Sequence, residues 1–404
     1  MTGATIKRDL RTGRSVWADS SGLGVPVRPL DEAISVEVCI VGAGISGAFM
    51  AHELSRDHEV VVLDRRPPLM GSTIASTAML QWEIDLPLIE LGKRIGTDKA
   101  ARAYRRSRSA VDALKQRVAE EGIVCGLKDK GSLYLAGDDY GHRALEAEAE
   151  ARAALGLESR YVGPQTLRET YGMERTGAIV SEGSAGGDPA RLAAGLLRRA
   201  VANGARIYSP VEALEIIGDP DGVSLTTDAG LAVRAKKVVF CCGYEFPKVV
   251  PTPGAEVIST WALASKPRAR CPVWLRDMLV WEASDPYLYF RMGGDGRLIV
   301  GGEDEADPLA HDDRARLKRK CETIAGKLRT LLPEIDFEVD YSWAGAFGTS
   351  TTGLPSIGPV PGLDHAWAVM GFGGNGITYS VIASQIVAAE VRGGADPDAD
   401  LYRG

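Results

Sequence analysis

Before residue 36 the chain is polar and rich in Gly and Pro (SSGLGVPVRP); from Val36 it switches to short apolar runs and amphipathic stretches. VEVCIV predicts a strand, GAGISG a glycine turn, ISGAFMAHELSR a helix, and EVVVL a second strand ending at Asp64. Strand, tight turn, helix and parallel strand within about 30 residues make a βαβ unit. Gly96 to Gly122 predicts one long helix and HRALEAEAEARAAL another, with sign-alternating charge runs that mark solvated faces. Asp188-Pro189 opens a further helix, Asp as N-cap and Pro at the first position. GARIYS, VEALEII, VSLTT, LAVRA and KKVVFCCG then read as strands. The 250–345 stretch is strand-rich, interrupted by the helical DDRARLKRKCETIAGKLRTLL, and the tail returns to strand (AWAVM), turn (GFGGNG) and helix (ITYSVIASQIVAAEVRGG).

Rossmann-like texture thus occurs near the start, the middle and the end. The fold class expected is α/β with an α+β second domain. A dinucleotide-binding domain assembles from 36–85, 186–246 and 343–404. A mostly antiparallel-sheet substrate domain forms from 86–185 and 247–342, and 1–35 lies as an extended arm over the body. No repeat of 20–50 residues is visible, so a solenoid is excluded.

Composition narrows the function. The 404 residues are 45% apolar and 25% charged, which excludes bulk disorder. No run approaches the roughly 18 apolar residues of a membrane span. The N-terminal basic residues have no apolar core behind them, so a secretory signal is not expected. A net charge of −7 without a long basic run argues against a nucleic-acid partner. Six cysteines without a CxxC pair, and five histidines in no ligand pattern, read as a reduced cytoplasmic protein with no metal centre.

Gly42-Ala43-Gly44-Ile45-Ser46-Gly47 stands between strand and helix, the context a dinucleotide fingerprint requires. Gly42 permits the tight turn, Gly44 lets a pyrophosphate approach the helix N-terminus, and Gly47 lets helix and strand pack. Asp64 is placed to accept hydrogen bonds from a ribose. A second match, Gly371 to Gly376, is followed by a helix and the end of the sequence, so it is not a second nucleotide fold. Its helix N-terminus suits stabilising negative charge on a reduced flavin ring, though a simple packed closing unit has the same signature. With no second nucleotide fold for NAD(P)H, the electrons should come from a small substrate.

CIVGAGISG, GSTIASTAML (71–80), VVFCCGYE (238–245), YLYFRMGGDGRLIVGG (287–302), WAGAFGTSTTGLPSIGPVPG (343–362) and GFGGNGIT (371–378) together resemble one family: the FAD-dependent D-amino-acid oxidase, glycine oxidase and sarcosine oxidase family. ASTAMLQWEIDLPL is most similar to its γ-glutamylputrescine oxidase-like branch. The resemblance implies that Gly42, Gly44, Ile45, Ser46, Asp64 and Arg65 hold the ADP half of FAD. Ser72, Thr73, Thr77, Met79 and Leu80 would run past pyrophosphate and flavin. Val211 would meet adenine through its backbone, and Gly243 would close the dinucleotide site. Gly374, Asn375, Gly376, Ile377 and Thr378 would cap the flavin.

Three departures shape the substrate expectation. After the WAG motif, where relatives carry a carboxylate-clamping arginine, stand Ala346 and Phe347. No flavin-tethering cysteine lies there, so FAD should be non-covalent. Ile377-Thr378 stands where sarcosine oxidases place a carboxylate-binding lysine. Glu83 and Asp85 instead share one face if the chain is extended, favouring an ammonium; a helix cap or surface pair is the rival reading. Trp261, Trp281, Tyr287, Tyr289 and Phe347 form either an aromatic wall or ordinary core. Arg291 is the candidate cation above the ring, assisting electron transfer to oxygen, with Lys266 second; a surface position competes for both. The expectation is an amine oxidoreductase forming an imine, with oxygen as acceptor and hydrogen peroxide as product. The alternatives are a dehydrogenase reducing a quinone or partner flavoprotein, or a non-catalytic FAD-binding subunit.

Overall fold

The computed structural model describes residues 3–252 and 254–403, organised on two sheets. In the eight-stranded sheet, Ile34–Val41 lies at the centre, parallel to Val60–Leu63 on one side and Ala232–Phe240 on the other. Arg206–Tyr208 continues one flank and Ala366–Met370 the other, all parallel. Val60–Leu63 and the C-terminal ends of Ile34–Val41 and Ala232–Phe240 are apolar on both faces because both are covered there. Helices Ile45–Leu54, Pro189–Ala202 and Gly376–Val391 pack over one face. A meander of Ala213–Asp219 and Gly222–Thr227 extends antiparallel from Ala232 and covers the other with Phe246 and Val257. LAVRA and KKVVF, read separately above, are one strand.

The ten-stranded sheet is antiparallel apart from the parallel pairing of Lys128–Leu135 with Met278–Glu282. Helix Arg314–Leu331, N-capped by Asp313, closes one face through Leu317, Ile324 and Leu328. Strands Lys128–Leu135 and Ala178–Gly186 are absent from the pattern reading because their apolar runs, LYL and AIV, are too short to show a period.

The sheets divide the chain differently from the expected boundaries. Trp343 belongs to Val339–Ser350, which pairs along Ala255–Ser265 in the ten-stranded sheet, so residues 343–350 lie with the second sheet. Of the expected arm, the described residues from 3 onward lie largely extended and bonded to the body. Arg11–Arg14 pairs with Ser342–Gly345, while the Ala4 and Ile6 amides donate to the Ala213 and Phe246 carbonyls. A bulge between Ser259 and Trp261 puts Glu303 at φ +63°, its carboxylate held by Lys320 and Lys327, and Asp304 beside Tyr287.

Candidate functional site

Between the sheets lies an elongated cavity with about 1820 Å³ of empty space, part of it open to solvent. One end is the glycine turn. Gly42 adopts φ +113°, and a Cβ there would meet the Cys241 carbonyl oxygen at 2.3 Å. A Cβ on Gly47 would come within 1.8 Å of the Gly42 oxygen, so helix and turn touch backbone to backbone. Helix Ile45–Leu54 follows Gly44, which offers no capping side chain, and Gly44, Ile45 and Ser46 line the cavity. The Ile45 amide donates to Thr73 Oγ1 at 2.9 Å, and Ser46 Oγ lies 2.8 Å from Ser380 Oγ.

Asp64 closes the parallel strand above this turn. Its carboxylate accepts from the Ala43 amide at 2.7 Å and the Arg66 amide at 2.8 Å. Burial raises its pKa, and these two bonds oppose the rise. Arg65 and Arg66 both pair with buried Glu245. The Val211 amide is committed to the Asp64 carbonyl at 2.8 Å, so only its carbonyl is free for an adenine. Gly243, at φ +59°, completes this end.

Ser72, Thr73, Thr77 and Met79 line the middle, and Gly374 to Ile377 line the wall opposite. Ser72 Oγ is buried without a hydrogen-bond partner among the described residues. A free hydroxyl and a helix N-terminus on a glycine turn fit a dinucleotide pyrophosphate. Two expected members of this group do not reach the cavity. Leu80 turns into the core and pairs with Ala185, and Thr378 Oγ1 donates to the Gln81 carbonyl at 2.8 Å.

The far end is aromatic and acidic. Trp281, Tyr287, Tyr289 and Phe347 line it, whereas Trp261 sits in the core of the second sheet with the Lys320 ammonium over its ring. Tyr287 and Tyr289 lie with centroids 5.4 Å apart, and the Tyr287 hydroxyl donates to Asp304 Oδ2 at 3.0 Å. Burial pushes Asp304 up to about 6, with the Thr260 and Tyr287 hydroxyls pulling it back. Asp85 is deep in the protein yet exposed to the cavity. Its Oδ2 accepts from the Gly374 amide at 2.7 Å, and burial raises its pKa against that bond. A Cβ on Gly374 would meet Asp85 Oδ1 at 2.5 Å, so a larger residue here would displace the Asp85 side chain.

Three candidate residues are elsewhere. Bends at 82–83 and 85–86 break the extended alternation, so Glu83 points into the protein while Asp85 faces the cavity. Glu83 is 1% exposed and accepts from Ser132 Oγ at 2.7 Å and Gln81 Nε2 at 3.3 Å, with Arg152 Nη1 at 3.5 Å. Arg152 also binds Glu148, whose carboxylate receives the Leu88 and Ile89 amides. Arg291 is fully buried, does not line the cavity, and spends its guanidinium on the Thr77 and Gly187 carbonyls. Lys266 is a surface residue paired with Glu338 at 2.7 Å.

The cavity also has walls the sequence reading left out: Thr5 and Leu10 from the N-terminal segment, and Cys241 and Cys242. The cysteines end the strand beside the glycine turn, the position at which ligands meet an open parallel sheet; that rule could have found them.

Comparison with known proteins decides the family of the chain. Residues 37–390 match the family described as "DAO: FAD dependent oxidoreductase". The chain belongs to this family. The γ-glutamylputrescine oxidoreductase of Escherichia coli K12 is 25% identical over 396 residues, covering 95% of this chain and 89% of the relative. Glycine oxidase from Geobacillus kaustophilus superposes with a TM-score of 0.76 at 23% identity, covering 90% of this chain and 96% of that one. L-proline dehydrogenase from P. horikoshii gives a TM-score of 0.77 at 19% identity, covering 93% and 97%. This DAO-family chain is therefore an FAD-dependent oxidoreductase with its family's two-part fold. Among its described residues no helix is long and apolar enough to cross a membrane.

Proposed function

We propose that the enzyme oxidises a C–N bond of a small amine lacking an α-carboxylate to an imine, which hydrolyses in water. One observation carries this reading. Among the described residues, the lining of the aromatic end includes a carboxylate, Asp85, and no cation, because the lining cations Arg65 and Arg66 are paired to Glu245 at the nucleotide end. FAD, when bound, supplies the two-electron acceptor for that bond. The chain's own residues do the rest. Asp85 Oδ2 is held by Gly374, and Oδ1, with no hydrogen bond among the described residues, receives the substrate ammonium and takes one of its protons, leaving the neutral amine as the form that is oxidised. Tyr287, Tyr289 and Phe347 enclose the apolar part of the amine and exclude water. The resemblance to a γ-glutamylputrescine oxidoreductase, named for an amine, supports the same class.

FAD is proposed to be non-covalent, since both lining cysteines are at the glycine-turn end and Cys242 Sγ donates to the Val41 carbonyl. Oxygen is the proposed acceptor. Transfer to a quinone or partner flavoprotein is the second reading, favoured by the retreat of Arg291 and Lys266 from the cavity, which removes the cation expected to assist oxygen. An anaerobic screen of amines and their α-carboxylated counterparts for bleaching of the yellow protein tests the substrate class. Admitting oxygen and assaying hydrogen peroxide then separates the acceptors.

A further inference from the structure

The cavity-lining segment 71–79 is held from behind by an unusual set of bonds. Four consecutive carbonyls, those of Ile74, Ala75, Ser76 and Thr77, each accept a hydrogen bond from a different side chain. Ser15 Oγ takes Ile74, Trp343 Nε1 takes Ala75 at 2.8 Å, Trp17 Nε1 takes Ser76 at 2.6 Å, and Arg291 Nε takes Thr77 at 2.7 Å. Ser15, Trp17, Arg291 and Trp343 are all at most 8% exposed. The Arg291 guanidinium lies over the Trp17 ring, 5.6 Å from its centroid, and its Nη2 reaches the Gly187 carbonyl at 2.8 Å. Beyond the clamp Ala78 takes φ +52°, a backbone conformation that a non-glycine residue keeps only when its surroundings over-determine it.

We propose that this clamp sets the cofactor-facing side of the segment, and that Ser15 and Trp17 make the N-terminal segment an integral part of the FAD site. The geometry makes them positioning residues. The opposite side of the same peptides presents Ser76, Thr77 and Met79 to the cavity, next to the unpartnered Ser72 hydroxyl. A peptide fixed on one side by four directional donors presents its other side in one conformation. Buried carbonyls deprived of their donors are free to turn, and the segment then loses the shape that FAD requires.

The experiment measures the FAD dissociation constant of the reconstituted full-length protein, alongside apoprotein melting and the absorption spectrum of the bound flavin. None of these readouts depends on which substrate the enzyme uses, so failure here is distinguishable from failure of the amine reading. Trp17→Phe keeps a ring under Arg291 but removes the donor to Ser76. A lost bond to a buried carbonyl is expected to weaken FAD about tenfold. The flavin spectrum should shift, and the apoprotein, though melting somewhat lower for the same lost bond, should still unfold cooperatively. Arg14→Ala is the control, because Arg14 is on the same arm but its pair with Asp19 is exposed; it should leave FAD affinity within twofold. Trp17→Phe binding FAD as tightly as wild type, or Arg14→Ala weakening FAD equally, would overturn the proposal. If Trp17→Phe fails to fold, Ser15→Ala is read by the same criteria.

Discussion

Replacing Asp85 by Asn isolates the charge that the substrate assignment rests on. Asn keeps an oxygen for the Gly374 amide, so the 2.7 Å bond that ties this residue to the turn before helix Gly376–Val391 survives. The carboxylate is lost and an amide donor appears where an ammonium should sit. A charge-assisted hydrogen bond is worth about 1.5–3 kcal/mol, and 1.4 kcal/mol is tenfold in an equilibrium. Asp85→Asn should therefore lower kcat/KM for amines roughly tenfold to a hundredfold. For an amine's α-carboxylated counterpart the change should be smaller or a gain, because a repelling charge is gone. Steady-state rates on matched pairs, normalised to FAD content, make the comparison. pH adds a sign. Burial raises the Asp85 pKa, so the amine advantage is present above that raised value and disappears as pH falls through it, earlier than for an ordinary carboxylate. An Asp85→Asn variant with an unchanged amine-to-amino-acid ratio would refute the reasoning.

Further outcomes follow from other contacts. Gly44→Val should give colourless protein when purified, because a branched side chain there meets Thr73 Oγ1 and the pyrophosphate path; stoichiometric FAD would contradict it. Arg152→Ala should cost about 3–5 kcal/mol in denaturant titration by leaving Glu83 and Glu148 buried without their cation, with substrate preference unchanged in the residual enzyme. Asp304, raised to about 6 by burial, binds its proton more tightly folded than unfolded, so its contribution to stability is greatest at low pH and falls as pH rises from about 4 to 6. Asp304→Asn, which keeps an acceptor for Tyr287, should flatten that slope and raise the melting temperature at pH 8, as differential scanning calorimetry would record.

What could be read from the chain was what local chemistry encodes. The glycine turn, the Asp64 position and the Asp188 N-cap each need only a few adjacent residues, and each lies in the structure where the pattern put it. Asp85 was legible because it neighbours the 71–80 motif, yet its partner Glu83 was not. The even spacing implied a shared face, and two bends undid it. Arg291 carries a charge on a strand facing the right domain, but its carbonyl partners lie 214 and 104 residues away. The N-terminal segment looked like an arm because its glycines and prolines hide how closely Ser15 and Trp17 fit the 74–77 backbone. Long-range hydrogen bonding of this kind leaves no periodic trace.

The most direct measurement is anaerobic stopped-flow reduction of the FAD-loaded protein by a simple amine and by the same amine bearing an α-carboxylate. Faster, tighter-binding bleaching by the amine, with the difference shrinking in Asp85→Asn, is the predicted result. Preferential bleaching by the carboxylated partner would contradict the account and place an amino-acid site in this cavity.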